Sequence, residues 1–104
     1  MKFPLNITTS AAQEVFYHGG GAANFSFTKT FGGTTLTIDL NFDVAENPPN
    51  DDLWVPLQDG DGALSLTGDY ANTTEPLAAC WVRFTTTGGT GIDIEAMWKT
   101  VKFL

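Results

Sequence analysis

The stretch Asn24-Phe25-Ser26-Phe27-Thr28-Lys29-Thr30-Phe31-Gly32-Gly33-Thr34-Thr35-Leu36-Thr37-Ile38-Asp39-Leu40-Asn41-Phe42-Asp43-Val44 decides the fold class. Before the two glycines, Phe25, Phe27 and Phe31 fall on one face of an extended chain. After them Leu36, Ile38, Leu40, Phe42 and Val44 do the same. Side chains of a strand alternate between two faces, so period two over this span reads as two half-buried strands. A Gly-Gly loop suits turns that demand positive φ. Pairing the strands across it sets Phe27 opposite Ile38 and Phe25 opposite Leu40, with Thr28 against Thr37 and Ser26 against Asp39 on the polar side. Lys29 falls among the apolar positions, opposite Leu36, which puts that end of the hairpin near a rim.

The last third repeats the design. Cys80, Val82 and Phe84 alternate with Trp81, Arg83 and Thr85, and Gly88-Gly89-Thr90-Gly91 leads into Ile92, Ile94 and Ala96. A loop centred on Gly89 matches the apolar faces when Phe84 meets Ile94 and Val82 meets Ala96, with Arg83 opposite Glu95 and Trp81 opposite Met97. Beyond Ala96, Trp98 continues one face while Met97, Val101 and Phe103 claim the other, implying a bulge or burial on both faces.

Between these blocks, residues 45–52 carry two prolines and no periodicity and read as a loop. A short strand through Leu53 to Leu57, a turn at Asp59-Gly60-Asp61-Gly62, a strand from Ala63 to Thr67 with Leu64 and Leu66 inward, and a polar connection from Gly68 to Pro76 follow. At the start Phe3, Leu5 and Ile7 alternate, and Pro4 confines residues 1–10 to an edge strand or an arm reaching a neighbour. Ala11 to Tyr17 admits a turn of helix, and Glu14 to His18 suits a strand equally. These elements predict an all-β chain, a single antiparallel β-sandwich (jelly-roll or Ig-like) of about seven to eight strands. At 104 residues the chain holds one core, so residues 1–104 form one domain.

The formal net charge of −7 repels phosphate backbones, which argues against a nucleic-acid partner. Asp43, Glu46, Asp51, Asp52, Asp59 and Asp61 gather in one region that reads as a solvated acidic loop. Cys80 is the single cysteine, so a disulfide framework and a thiolate metal site are both excluded, and synthesis in a reducing cytoplasm is expected. No apolar run approaches membrane-spanning length, and the segment behind Lys2 is too short and interrupted for a signal-peptide core.

No set of residues spells out catalysis. Asp93 and Glu95 lie two apart on one strand face, a spacing near that of paired glycosidase carboxylates, but Glu95 opposite Arg83 reads as an ordinary neutralised acid. Asp59-Gly60-Asp61-Gly62 echoes the start of a calcium loop, yet Ala63-Leu64-Ser65-Leu66 supplies no distal acid. His18 beside Gly19-Gly20-Gly21 lacks the strand, helix and Lys-Ser/Thr of a phosphate cradle and reads as a solvated side chain. Cys80 falls on the core face and reads as inert. No catalytic, cofactor-binding or metal residue is therefore assigned. Trp81, outward and beside Arg83, is the combination enriched at protein interfaces and sugar-stacking sites.

Thr28-Lys29-Thr30-Phe31-Gly32-Gly33-Thr34-Thr35-Leu36-Thr37, Trp54-Val55-Pro56-Leu57, Asp59-Gly60, Trp81-Val82-Arg83 and Thr87-Gly88-Gly89-Thr90-Gly91, in that order, resemble small β-sandwich virion structural proteins of tailed bacteriophages. The resemblance covers about residues 24 to 98 and departs at residues 41 to 53, where a short turn is replaced by a longer Pro- and acid-rich loop. It implies a capsid decoration (cement) protein that binds across capsid subunits and stabilises the head, or alternatively a tail, neck or fibre component. The expected partners are the major capsid protein or other virion proteins and further copies of the chain, a homo-oligomer for which a trimer is one candidate state. The expected location is the virion, after synthesis in the host cytoplasm, and the expected action is binding rather than catalysis. Phe3, Leu5, Trp81, Arg83, Met97, Val101 and Phe103 are the candidate contact residues. A carbohydrate-binding module using Trp81 is the alternative from another class.

Overall fold

A computed structural model describes residues 2–101. Eleven strand segments are found among them: β1 (Leu5–Ile7), β2 (Phe16–His18), β3 (Ala23–Thr30), β4 (Thr35–Asn41), β5 (Val55–Pro56), β6 (Gln58–Asp59), β7 (Gly62–Ala63), β8 (Ser65–Leu66), β9 (Tyr70–Thr73), β10 (Cys80–Thr87) and β11 (Asp93–Thr100). One turn of 3-10 helix, Asp51–Leu53, precedes β5. The chain is all-β and its strands pair antiparallel, in a four-stranded sheet ordered β1-β11-β3-β9, a five-stranded sheet ordered β2-β10-β4-β5 with β8 also on β4, and the small β6-β7 hairpin. The number of segments exceeds the sequence expectation because the region from Val55 to Leu66 is cut by turns into four two-residue strands.

Neither glycine loop closes a paired hairpin. Phe27 lies opposite Ala96 on one side and Tyr70 on the other, while Ile38 lies opposite Phe84. Both expected registers are thus overturned: Arg83 faces Asp39 instead of Glu95, and Trp81 faces Asn41 and Tyr17 instead of Met97. The physical reason is that period two fixes which face of a strand is apolar and leaves its partner open. At each Gly-Gly turn the chain passes from one sheet to the other, so β3 and β4 belong to different sheets and β10 and β11 likewise. Phe27 meets Phe84 edge-on with ring centroids 4.9 Å apart, and one cluster of buried side chains draws on both sheets.

The turns show how this is done. Lys29 adopts φ 87°, a conformation costly for an L-residue, and the reversal carries its side chain away from the core to Glu95, with Nζ 3.2 Å from Oε2. Phe31 can then drop back inside, where it is buried. Gly32 and Gly33 follow at φ 61° and 83°, and the Thr34 N–H closes the turn on the Phe31 carbonyl at 3.0 Å. The second glycine turn packs directly on the first: the Thr90 N–H donates to the Gly32 carbonyl at 2.8 Å. A Cβ on Gly32 would stand 2.0 Å from the Thr90 carbonyl oxygen, and one on Gly89 would stand 2.6 Å from the Thr34 nitrogen. Two crossings, one from each half of the chain, are therefore tied together backbone to backbone.

The two sheets are joined unequally at their margins. On the side of β1 and β2, Phe3 sits edge-on to Phe16 at 5.0 Å, and Leu5–Ile7 lies at the edge of the four-stranded sheet. On the side of β5 and β9 the layers part, and a cleft opens.

Several further expectations change. Phe42 and Val44 are exposed, because β4 ends at Asn41 and the chain leaves the sheet there. His18 is buried: its Nδ1 accepts from the Trp98 indole N–H at 3.3 Å, and its Nε2–H donates to the Gly21 carbonyl at 2.8 Å. The segment 11–17 makes no helix and runs beside β10, ending in β2. The polar connection after Gly68 contains β9, an edge strand whose exposed side needs no apolar residues. No bulge interrupts β11 at Ala96, and Trp98 continues its buried face. Asp59-Gly60-Asp61-Gly62 is the expected turn, with the Asp61 N–H on Asp59 Oδ1 at 2.8 Å.

Candidate functional site

The outer face of the five-stranded sheet gathers the most specific side chains of the molecule. In β10, Trp81, Arg83 and Thr85 alternate with the buried Val82, Phe84 and Thr86 and so point outward. Adjacent β4 sets Asp39 opposite Arg83. One carboxylate oxygen, Asp39 Oδ2, accepts from Arg83 Nη2 at 3.3 Å and from the Thr85 hydroxyl at 3.0 Å. Both charged side chains are about four-fifths covered, which strengthens the pair relative to an exposed one.

Residues 42–54 fold back over this face. Asn41, buried on the outer side of β4, anchors the segment: its Nδ2–H donates to the Asn50 carbonyl at 2.8 Å, and its Oδ1 accepts from the Asp43 N–H at 3.0 Å. The Asn50 side chain caps the 3-10 turn through the Asp52 N–H. The result places the Trp54 ring 4.1 Å from the Arg83 guanidinium carbon, a cation–π contact. Trp54 is oriented in turn by its indole N–H on Asp51 Oδ1 at 3.3 Å. The acidic stretch, expected as a solvated connection, is exposed along most of its length yet positions an aromatic ring.

On the other flank, β2 sets Tyr17 opposite Trp81, ring centroids 5.2 Å apart and edge-on. Tyr17 is 53% exposed. The Trp81 indole nitrogen is shielded from solvent and has no hydrogen-bond partner among the described residues, a cost of about 1–3 kcal/mol that a native fold seldom carries without compensation. In the strip Tyr17, Trp81, Arg83 and Trp54 each member packs on another of the strip, Tyr17 on Trp81 and Arg83 on Trp54.

The residues chosen from sequence do not form one patch. Trp81 and Arg83 share this strip. Met97 lies on the outer face of the other sheet, and Phe3 and Leu5 pack half-buried against the chain's own core. Val101 is half-buried, its N–H on the Ala22 carbonyl at 2.9 Å; Phe103 lies outside the described residues. Tyr17, Trp54 and Asp39 were missed because their contribution depends on which strands are neighbours. The alternation Phe16-Tyr17-His18 was the available signal for Tyr17.

Other chemistry is sparse. Cys80 is fully buried, and burial pushes its thiol up to about 11, so the nucleophilic thiolate is suppressed. Asp93 is exposed, and Glu95 pairs with Lys29. Among the described residues no group of three or more His, Cys, Asp or Glu side chains is placed to hold a metal ion, and no helix is long and apolar enough to cross a membrane. Comparison with protein-family models, with curated proteins and with solved structures gives no match.

Proposed function

We propose that the chain is a virion structural protein of a tailed bacteriophage, a capsid decoration protein that binds across neighbouring capsid subunits. The two larger sheets are read as the layers of a single β-sandwich. The observation that carries the reading is the pre-assembled strip of Tyr17, Trp81, Arg83 and Trp54 on one outer face. Trp, Tyr and Arg are the residues that dominate binding energy at interfaces, and side chains already packed on one another have less freedom to lose on docking. The ordered Gly-Gly, Trp-Val-Pro-Leu and Trp-Val-Arg motifs support the assignment to a virion. Location on the virion, action by binding, and assembly with further copies follow from the same reading, since symmetry multiplies a modest contact. A tail, neck or fibre position would use the same strip.

The test is co-sedimentation of purified protein with expanded and unexpanded capsids of the phage whose genome encodes it. Binding to expanded capsids, higher resistance of those capsids to heat, and loss of both on Trp81→Ala with Arg83→Ala are expected. Absence of binding to any particle, together with quenching of tryptophan fluorescence by a polysaccharide and its loss in Trp81→Ala, would establish the carbohydrate-binding module instead.

A further inference from the structure

Where the two sheets part, between β5 and β9, a cleft of about 740 Å³ reaches the core, within the size range of ligand sites. Its floor is the buried side of Leu40, Leu57 and Leu64, while Phe42 and Val55 stand exposed on the rim. Among the described residues the charged ones lining it are Asp59 and Glu75, with no Lys, Arg or His. We propose that this cleft docks an extended segment of a partner protein whose inward-pointing side chains are apolar and flanked by Lys or Arg.

Charge selects the occupant. An apolar floor under two carboxylates that have no ion-pair partner among the described residues favours an apolar segment bearing a cation, and a second copy of this chain, at net charge −7, is disfavoured. Backbone geometry supplies the means of attachment. The Thr74 N–H donates to the Ala23 carbonyl at 2.8 Å, and antiparallel alternation then turns the N–H and C=O groups of Ala71 and Thr73 away from β3. The Thr73 N–H is taken by its neighbour Asn72 Oδ1 at 2.8 Å. Among the described residues nothing takes the N–H or C=O of Ala71, which leaves both for a strand added along β9. On the opposite lip Pro56 has no N–H to offer, so β9 is the docking edge. Every second side chain of an added strand would enter the cleft. This inference stands apart from the virion reading.

The probe is the peptide acetyl-Thr-Lys-Thr-Val-Thr-Phe-Thr-Lys-Thr-amide, followed by amide NMR shifts, against the same peptide with Glu for both Lys. Shifts confined to Val55–Gly60 and Tyr70–Glu75 are expected, with the Glu peptide at least about tenfold weaker. The double variant Asp59→Asn with Glu75→Gln should lose most of that discrimination with an unchanged melting temperature, since the carboxamide oxygen that replaces Asp59 Oδ1 can still accept from the Asp61 N–H. Equal binding of the two peptides, shifts on the Tyr17–Trp81 face, no shifts at all, or concentration-dependent shifts in the cleft without peptide would each overturn the proposal; the last would make a second copy the occupant.

Discussion

Substituting Gly32 by Ala tests the junction of the two crossings. Gly32 sits at φ 61°, where an L-residue costs about 1–2 kcal/mol. The new methyl would lie 2.0 Å from the Thr90 carbonyl oxygen. That atom belongs to backbone, so relief requires the two turns to separate and gives up the Thr90 N–H bond to the Gly32 carbonyl, about 1 kcal/mol net. With residual repulsion the loss comes to roughly 3–4 kcal/mol, a large share of the 5–15 kcal/mol typical of a domain. Gly88→Ala is the control: φ is 74° but nothing lies within 4 Å of the added atom, so only the conformational cost of about 1–2 kcal/mol applies. Urea unfolding measures both, and the Gly32→Ala midpoint should fall below that of Gly88→Ala by about 1 M or more. Equal losses would refute the packing of one turn on the other, because in two separately paired hairpins Gly32 and Gly89 need not meet.

His18→Ala removes the acceptor of the Trp98 indole N–H and the donor to Gly21 while opening a void; a loss of about 2–5 kcal/mol in urea unfolding is expected. A double-mutant cycle on Asp39→Ala and Arg83→Ala should give a coupling energy near 1 kcal/mol, within the range of about 0.5–3 kcal/mol for residues in contact, reduced in part by salt. The raised Cys80 thiol makes stability pH-dependent in a definite direction: the protonated, neutral form is favoured by folding, so this contribution is complete below the unfolded-state value near 9 and is lost as pH rises toward about 11. The stability of the native chain should therefore fall by up to about 1.4 kcal/mol per pH unit across that window, and Cys80→Ala should flatten the slope.

Faces were legible in the sequence, and partners were not. Phe25, Phe27, Leu36, Ile38, Leu40, Val82, Phe84, Ile94 and Ala96 all lie inside, as period two dictates. The same alternation is satisfied whether β3 pairs with β4 or lies in a different sheet, and a Gly-Gly turn can serve either connection. The interruption at Lys29 was the visible trace of the crossing: a cation in the apolar register has to be turned out, and positive φ does that. His18 was misjudged because the adjacent glycines suggested solvent, although its place two residues after Phe16 put it on the buried face of β2. Of the outer-face cluster, Trp81 and Arg83 could be read from one strand, whereas Tyr17 and Asp39 arrive from β2 and β4 by strand pairing and Trp54 from the segment that folds back over the sheet.

Hydroxyl-radical footprinting of the free protein and of the protein mixed with expanded capsids decides whether the proposed face binds, because the two outer faces carry different oxidisable residues. Tyr17, Trp54 and Trp81 should be protected on binding while Met97, on the opposite face, stays as reactive as in the free protein. Protection of Met97 with no change at Tyr17, Trp54 and Trp81 would contradict the proposal.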